Sequence, residues 1–251
     1  MELKSEFPHA ANRKVFKNTF LKEVQAAVSF DGNAWTGEEC FSSLKAFAKR
    51  QFGLEDIGET FLNEKGIAFV SEELATSFFF SPATAGYKIG GKGYVSFSTT
   101  QEGLLNKLTD YLNSVPKTDK VKWLKLRKLN VWPVTLDKED ANIIEPLKYL
   151  FKEHYAKILE PGDDEKDLVK KSKQVANKLC EGCVLLIDIQ YRYIDKSKLE
   201  FSLSVETFYK PNDGISLNDV LADARQLNSV MYDAYMDAVT DEVVRLMDVE
   251  G

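Results

Sequence analysis

Two neighbouring runs alternate apolar and polar residues with a period of two. In Cys183–Ile194, Leu185, Ile187, Ile189, Tyr191 and Tyr193 are interleaved with Asp188, Gln190 and Arg192; in the next run Leu199, Phe201, Leu203 and Val205 alternate with Glu200, Ser202, Ser204 and Glu206. A strand turns successive side chains to opposite faces, so both runs predict strands with one face in a core and the other toward water. The polar stretch Asp195-Lys196-Ser197-Lys198 joins them as an antiparallel hairpin. Matching the faces around this turn places Tyr193 opposite Phe201, Arg192 near Ser202, and Asp188 near Glu206.

The other segments surround this hairpin with both kinds of element. Leu21–Phe30 reads as a strand, and Thr36–Gln51 as a helix whose Thr36 and Glu39 form a capping box. Short strands are expected at Ile67–Ser71, Ser77–Ser81, Gly86–Ile89 and Tyr94–Thr99, the last two joined through Gly90-Gly91-Lys92-Gly93, with a helix over Gln101–Leu112. A long strand over Val121–Thr135 follows, then a helix opening at Pro146 and carrying Leu147, Leu150, Phe151, His154 and Ile158. A further helix is expected over Glu165–Leu179, with Gly182 as its C-cap. The last helix starts from Ser216 and Asp219 as a variant capping box and carries one apolar stripe of Leu217, Leu221, Ala224, Leu227, Met231, Tyr235 and Ala238. This order predicts an α+β fold, an antiparallel sheet or sheets with helices packed on one face and a long C-terminal helix. Residues 1–116 and 117–251 each run strand, helix or helices, strands, helix, as two diverged halves or one continuous domain would.

Charge narrows the partners. The net charge of -6 resides in Ser216–Gly251, where eight acidic residues face Arg225 and Arg245, and the rest of the chain is balanced. No global positive field is left to hold duplex nucleic acid. Lys117–Lys128 is locally basic around Trp123; it could face an anion, but such a run more often is solvated or guards an exposed edge strand against aggregation. At 44% hydrophobic and 29% charged the chain is neither disordered nor fibrous, and its longest apolar runs fall short of the roughly 18 residues of a membrane span. The charged first twenty residues lack a secretory apolar stretch, so a cytoplasmic location is expected.

Chemistry-bearing patterns are few. Cys180-x-x-Cys183 follows an expected helix and precedes a strand, the reverse of a thioredoxin arrangement, and a zinc site would need two ligands from Cys40, His9 and His154. Both thiols therefore read as small buried residues at a turn. The glycines Gly86, Gly90, Gly91 and Gly93 meet no helix N-terminus and read as a hairpin turn. Ser42-x-x-Lys45 lies within an amphipathic helix as a chance match, and with two histidines no serine-histidine scheme has support. The pair Asp188 and Glu206 on one sheet face could divide acid and base roles or hold Mg2+ or Mn2+, since neighbouring carboxylates push their pKa values apart. The ordinary alternative is the wet face of an antiparallel sheet.

Three segments resemble a sporadically distributed bacterial family of about this length whose function is uncharacterised. Phe7-Pro8, then Leu21-Lys22-Glu23-Val24 and a strand ending at Phe30, are similar to the family's opening; Val121–Val134 with Arg127 and Asn130 resembles its middle strand; Met231, Tyr235 and Val239-Thr240 match its C-terminal positions. Asn228 stands where that family has a histidine. The resemblance implies an α+β protein of accessory or mobile-element type with no assigned reaction, and carries over Arg127 and Asn130 as ligand or structural residues.

The expected function is that of a non-catalytic protein, without a cofactor, that binds a polar small ligand or a protein partner. Arg127, Asn130, Asp188, Gln190, Arg192 and Glu206 form its site. The alternative is a metal-assisted hydrolase at Asp188 and Glu206 using Mg2+ or Mn2+, and a third reading makes the last helix a homodimer element.

Overall fold

In the computed structural model the described residues are all except 1–2, 11–14, 17–18, 32–44, 47–48, 51–58, 64–65, 72–74, 116–117, 137–142, 163–168, 196 and 249–251. The strands are β1 (Leu21–Ser29), β2 (Glu59–Asn63), β3 (Gly66–Ser71), β4 (Thr76–Phe80), β5 (Thr84–Gly90), β6 (Lys120–Val121), β7 (Trp123–Thr135), β8 (Lys170–Cys180), β9 (Cys183–Tyr193), β10 (Lys198–Tyr209) and β11 (Ile215–Ser216). The helices are α1 (Glu102–Ser114), α2 (Ile144–Leu150), α3 (Glu153–Leu159), α4 (Val220–Ala238) and α5 (Asp241–Asp248). The fold is α+β, as expected.

Nine strands form one antiparallel sheet in the order β2-β3-β4-β5-β1-β7-β10-β9-β8, and β6 pairs with β11 apart from it. Of these nine, the first strand of each half, β1 and β7, pair at the centre, and the last of each half, β5 and β10, flank them. Residues 1–116 and 117–251 thus contribute to a single sheet. Alternation sends Val24, Ala26 and Val28 of β1, Leu185, Ile187 and Ile189 of β9, and Phe201, Leu203 and Val205 of β10 into one core. Each of these buried Val, Leu, Ile and Phe side chains contributes about 1.5–3 kcal/mol.

The five helices named above bury apolar residues in that core, among them Leu147 of α2, Leu159 of α3 and Val243 of α5. The stripe of α4 packs on its own sheet over β7 and β10, with Ala224, Leu227, Met231 and Ala238 buried. Helix α1 lies on β5, and its Tyr111 meets Phe80 of β4 at 5.1 Å; Phe151, just after α2, packs edge-on against Trp132 and Phe201 at 5.6 and 6.3 Å. No helix among the described residues is long and apolar enough to cross a membrane.

Several expectations are corrected. Of the helix expected over 165–179, residues 165–168 lie outside the described residues, and 170–179 belong to the edge strand β8, which pairs with β9 around Glu181-Gly182. Gly182 has φ of 71°, so the left-handed residue read as a helix cap belongs to a hairpin turn. Tyr94–Thr99 is not a strand: Gly91–Gly93 forms a tight turn, and Phe97–Gln101 a wide helical turn leading into α1. The helix at Pro146 is broken in two at Phe151 and Lys152, where Phe151 bridges to Val239 and the Lys152 amide donates to Ala238. The capping box of the last helix is absent: α4 starts after Asp219, with no side chain closing its N-terminus. Strand β2 has no counterpart among the expected elements. Of the helix over 36–51, residues 45–46 and 49–50 are described and helical; the remainder, with Cys40 and Ser42, lies outside the described residues.

Candidate functional site

The sheet has one face under helices and one face that no described helix covers, and β7 presents side chains to both. Its odd-numbered residues Lys125 and Arg127 point to the open face; its even-numbered residues Leu124, Leu126, Lys128, Asn130 and Trp132 point under the helices. Five of the six expected site residues therefore share the open face, and Asn130 falls on the other.

On the open face the observed register differs from the expected one by two residues. The turn closes at Ile194 and Lys198, held by Asp195 accepting from the Ser197 amide, so Tyr193 stands opposite Leu199 and Arg192 opposite Glu200. Asp188 consequently faces Ser204, and Glu206 faces Leu186, so the two carboxylates are not a cross-strand pair. Glu206 instead receives Lys125 at 2.7 Å, and Arg192 donates twice to Glu200 at 2.9 and 2.8 Å. Arg127 donates through Nε to Ser204 Oγ at 2.9 Å and lies 3.6 Å from Glu23, which also pairs with Lys88. Gln190 stands between Ser202 and Ser172. Burial raises the Asp188 carboxyl above its ordinary range, and the charges of Arg127 and Lys170 partly offset this. Among the described residues no three His, Cys, Asp or Glu side chains gather as metal ligands would. Cys183 is buried, which pushes its thiol up to about 12 and leaves it unreactive.

Under the helices, two polar residues interrupt the apolar row of β7. Lys128 lies between Val24 and Val205, and Asn130 between Leu21 and Leu203, positions that elsewhere in the sheet feed the core. A cavity of about 320 Å3 opens at this place. Its floor is Lys128, Asn130 and Val205 on the sheet, and one wall is Asn228, Met231 and Tyr235 of α4. The opposite wall is the Tyr94–Ser98 segment, and residues Phe16, Thr19 and Leu21 of the N-terminal arm close the side. Its rim includes Val15 and Val95, exposed to 60% and 58%. The arm is held on α4 by Phe16 stacked on Tyr232 at 6.5 Å, and by His9 Nδ1 and the Ala10 amide at 3.1 and 3.2 Å from the buried Asp233 carboxylate.

Among the described residues, Lys128 is the one charged residue of the lining. Its Nζ donates to Asn228 Oδ1 at 2.7 Å and sits 5.2 Å from the centre of the Tyr94 ring. Part of its surface is still reached from the cavity, yet the dense apolar surroundings lower its pKa to about 8 by desolvation. Burial moves the Tyr94 and Tyr235 phenols the other way, well above their ordinary value. A concave, mostly apolar cavity with a few convergent polar groups and a perturbed amine is the arrangement of a small-molecule site. Sequence reasoning placed Asn130 in a site but missed Lys128, hidden within the basic run 117–128, and met Asn228 only as the residue at the histidine position.

No family model matches the chain, and no curated protein matches it. Among solved structures the chain is similar to Methanococcus jannaschii TBP at 12% identity, over 84% of this chain and 97% of that one, with a TM-score of 0.26. A likeness at that score carries no argument about fold or function.

Proposed function

We propose that the chain is a non-catalytic binding protein and that it holds a small, largely apolar molecule in the cavity between the sheet and α4. The observation that supports this best is the coincidence of three features at one place: a cavity of about 320 Å3, a mostly apolar lining that includes five aromatic and two methionine side chains, and two polar residues at core positions of β7. A sequence does not place Lys and Asn in a core row without cost, because a buried polar group must find partners. At the roughly 30 Å3 that one water occupies in the liquid, the cavity has room for about ten non-hydrogen atoms.

The expected site on the open face draws less support, since Lys125, Arg192, Glu200 and Glu206 are engaged with one another. The test is a thermal shift with submillimolar 1-octanol, a neutral molecule of the right size. A ligand that binds the native state raises its melting temperature. The rise should occur in the wild type and vanish in Met231→Trp, whose indole fills the cavity; an equal shift in both, or none in the wild type, sinks the reading.

A further inference from the structure

Resting on the cavity reading above, we infer that the natural ligand is a monoanion with an apolar body, of the class of medium-chain or small aromatic carboxylates, and that Lys128 receives its anionic end.

The argument starts from the donors of one amine. A lysine ammonium has three N–H groups and no acceptor. In this cavity one bonds Asn228 Oδ1 and the ammonium also faces the Tyr94 ring, which leaves donor capacity toward the open space of the cavity. Among the described residues no carboxylate pairs with Lys128, whereas Lys88, Lys122, Lys125, Lys148 and Lys157 each have one. A positive charge in apolar surroundings without a counter-charge is unfavourable, and desolvation has already moved its pKa down to about 8. At neutral pH the amine is still mostly protonated, so the complement that the cavity lacks is one negative charge. Two charges would exceed what a single ammonium neutralises in such surroundings, which favours a carboxylate over a phosphate dianion. Asn130 lies one position further along the same face of β7 and offers amide donors to the second carboxylate oxygen. Beyond the polar end, Val205, Phe97, Met231, Tyr235 and Met247 give the body apolar contact, and the flexible methionines adapt to its shape.

The pH dependence follows from the groups that face Lys128. From the Tyr94–Ser98 segment and α4 the titratable neighbours are the phenols of Tyr94, Tyr232 and Tyr235, and among the described residues the arm, β10 and α5 contribute no charged lining residue. Affinity for a carboxylate should therefore be full between about pH 6 and 7, where the ligand is ionised and the amine protonated, and fall as pH rises through about 8, as the amine loses its proton.

The experiment is calorimetric titration of the full chain with octanoate, 1-octanol and octylamine at pH 7 and pH 9.5. Octanoate should bind at least tenfold tighter than octanol at pH 7, octylamine weakest, and the octanoate preference should shrink at pH 9.5. Lys128→Met should bring octanoate to within about twofold of octanol. If the wild type binds octanol as tightly as octanoate at pH 7, the anion inference falls while the cavity reading stands. If it binds neither, both fall. Because the comparison of ligands on the wild type decides the matter alone, the result does not hang on the folding of the variant.

Discussion

Lys128 and Asn228 form a hydrogen bond that ties the centre of the sheet to α4 at 2.7 Å. Replacing only the acceptor leaves a buried ammonium without it, so Asn228→Leu should lower stability by about 1–3 kcal/mol. Lys128→Met with Asn228→Leu should recover most of that loss, because an apolar pair of similar shape replaces both partners; urea unfolding of the four-member cycle reads the coupling. The pH sign is fixed by the lowered pKa of Lys128. Between about 8 and the ordinary lysine value the unfolded chain binds more protons than the native one, so this residue's contribution to stability rises with pH across that window. Cys183 acts oppositely at alkaline pH, since its native thiol keeps its proton up to about 12. The difference between Lys128→Met and wild type isolates the lysine: the variant's advantage in melting temperature should be present at pH 7 and decline toward pH 10. At this scale part of the site was legible. Arg127 and Asn130 are three apart on one strand and cannot share a face, and Leu124, Leu126, Lys128, Asn130, Trp132 is an apolar row with two polar members. The role of Lys128 was hidden because the helix that covers it lies a hundred residues further along the chain.

At the scale of elements, the long alternating strands were readable and the irregular ones were not. Strands β7, β9 and β10 lie within a few residues of their expected bounds, because period-two burial leaves a direct imprint on composition. Strand β8 failed for a physical reason. As an edge strand with Lys170, Lys171, Lys173 and Lys178 it buries little, so its few apolar residues fit a helical spacing as well as a strand. Its turn provides the check. Gly182 at φ 71° would place an added Cβ 2.3 Å from the Lys210 carbonyl oxygen, so Gly182→Ala combines left-handed strain with a backbone clash. A loss of about 2 kcal/mol or more is expected in chemical denaturation, against less than about 1 kcal/mol for Gly103→Ala, since alanine is favoured over glycine in a helix and the added Cβ there meets nothing within 4 Å. The two-residue error in the β9–β10 register has a similar local origin, since Asp195 tightens the turn by accepting from Ser197, a bond that period alone does not reveal.

For the whole molecule, the fold class followed from the order of elements, whereas the union of both halves in one sheet required the β1–β7 pairing. That pairing makes α4 a shared support. Leu227 is fully buried at the place where α4 covers β7 and β10, so Leu227→Ala should cost about 2–5 kcal/mol. If the sheet is one cooperative unit, fluorescence and circular dichroism should report the same transition before and after the substitution. Two separated transitions would show that the halves melt independently.

The position of β1 at the centre of the sheet also has a kinetic side. It is synthesised ahead of both its sheet neighbours, since β5 and β7 follow it by some sixty and a hundred residues. During translation its apolar face, with Val24, Ala26 and Val28, therefore waits without its native neighbours. Closing such distant pairings is slow compared with forming local contacts. Until β5 and β7 have emerged, this apolar strand has no native sheet neighbour, so the centre of the sheet closes late and through long-range contacts.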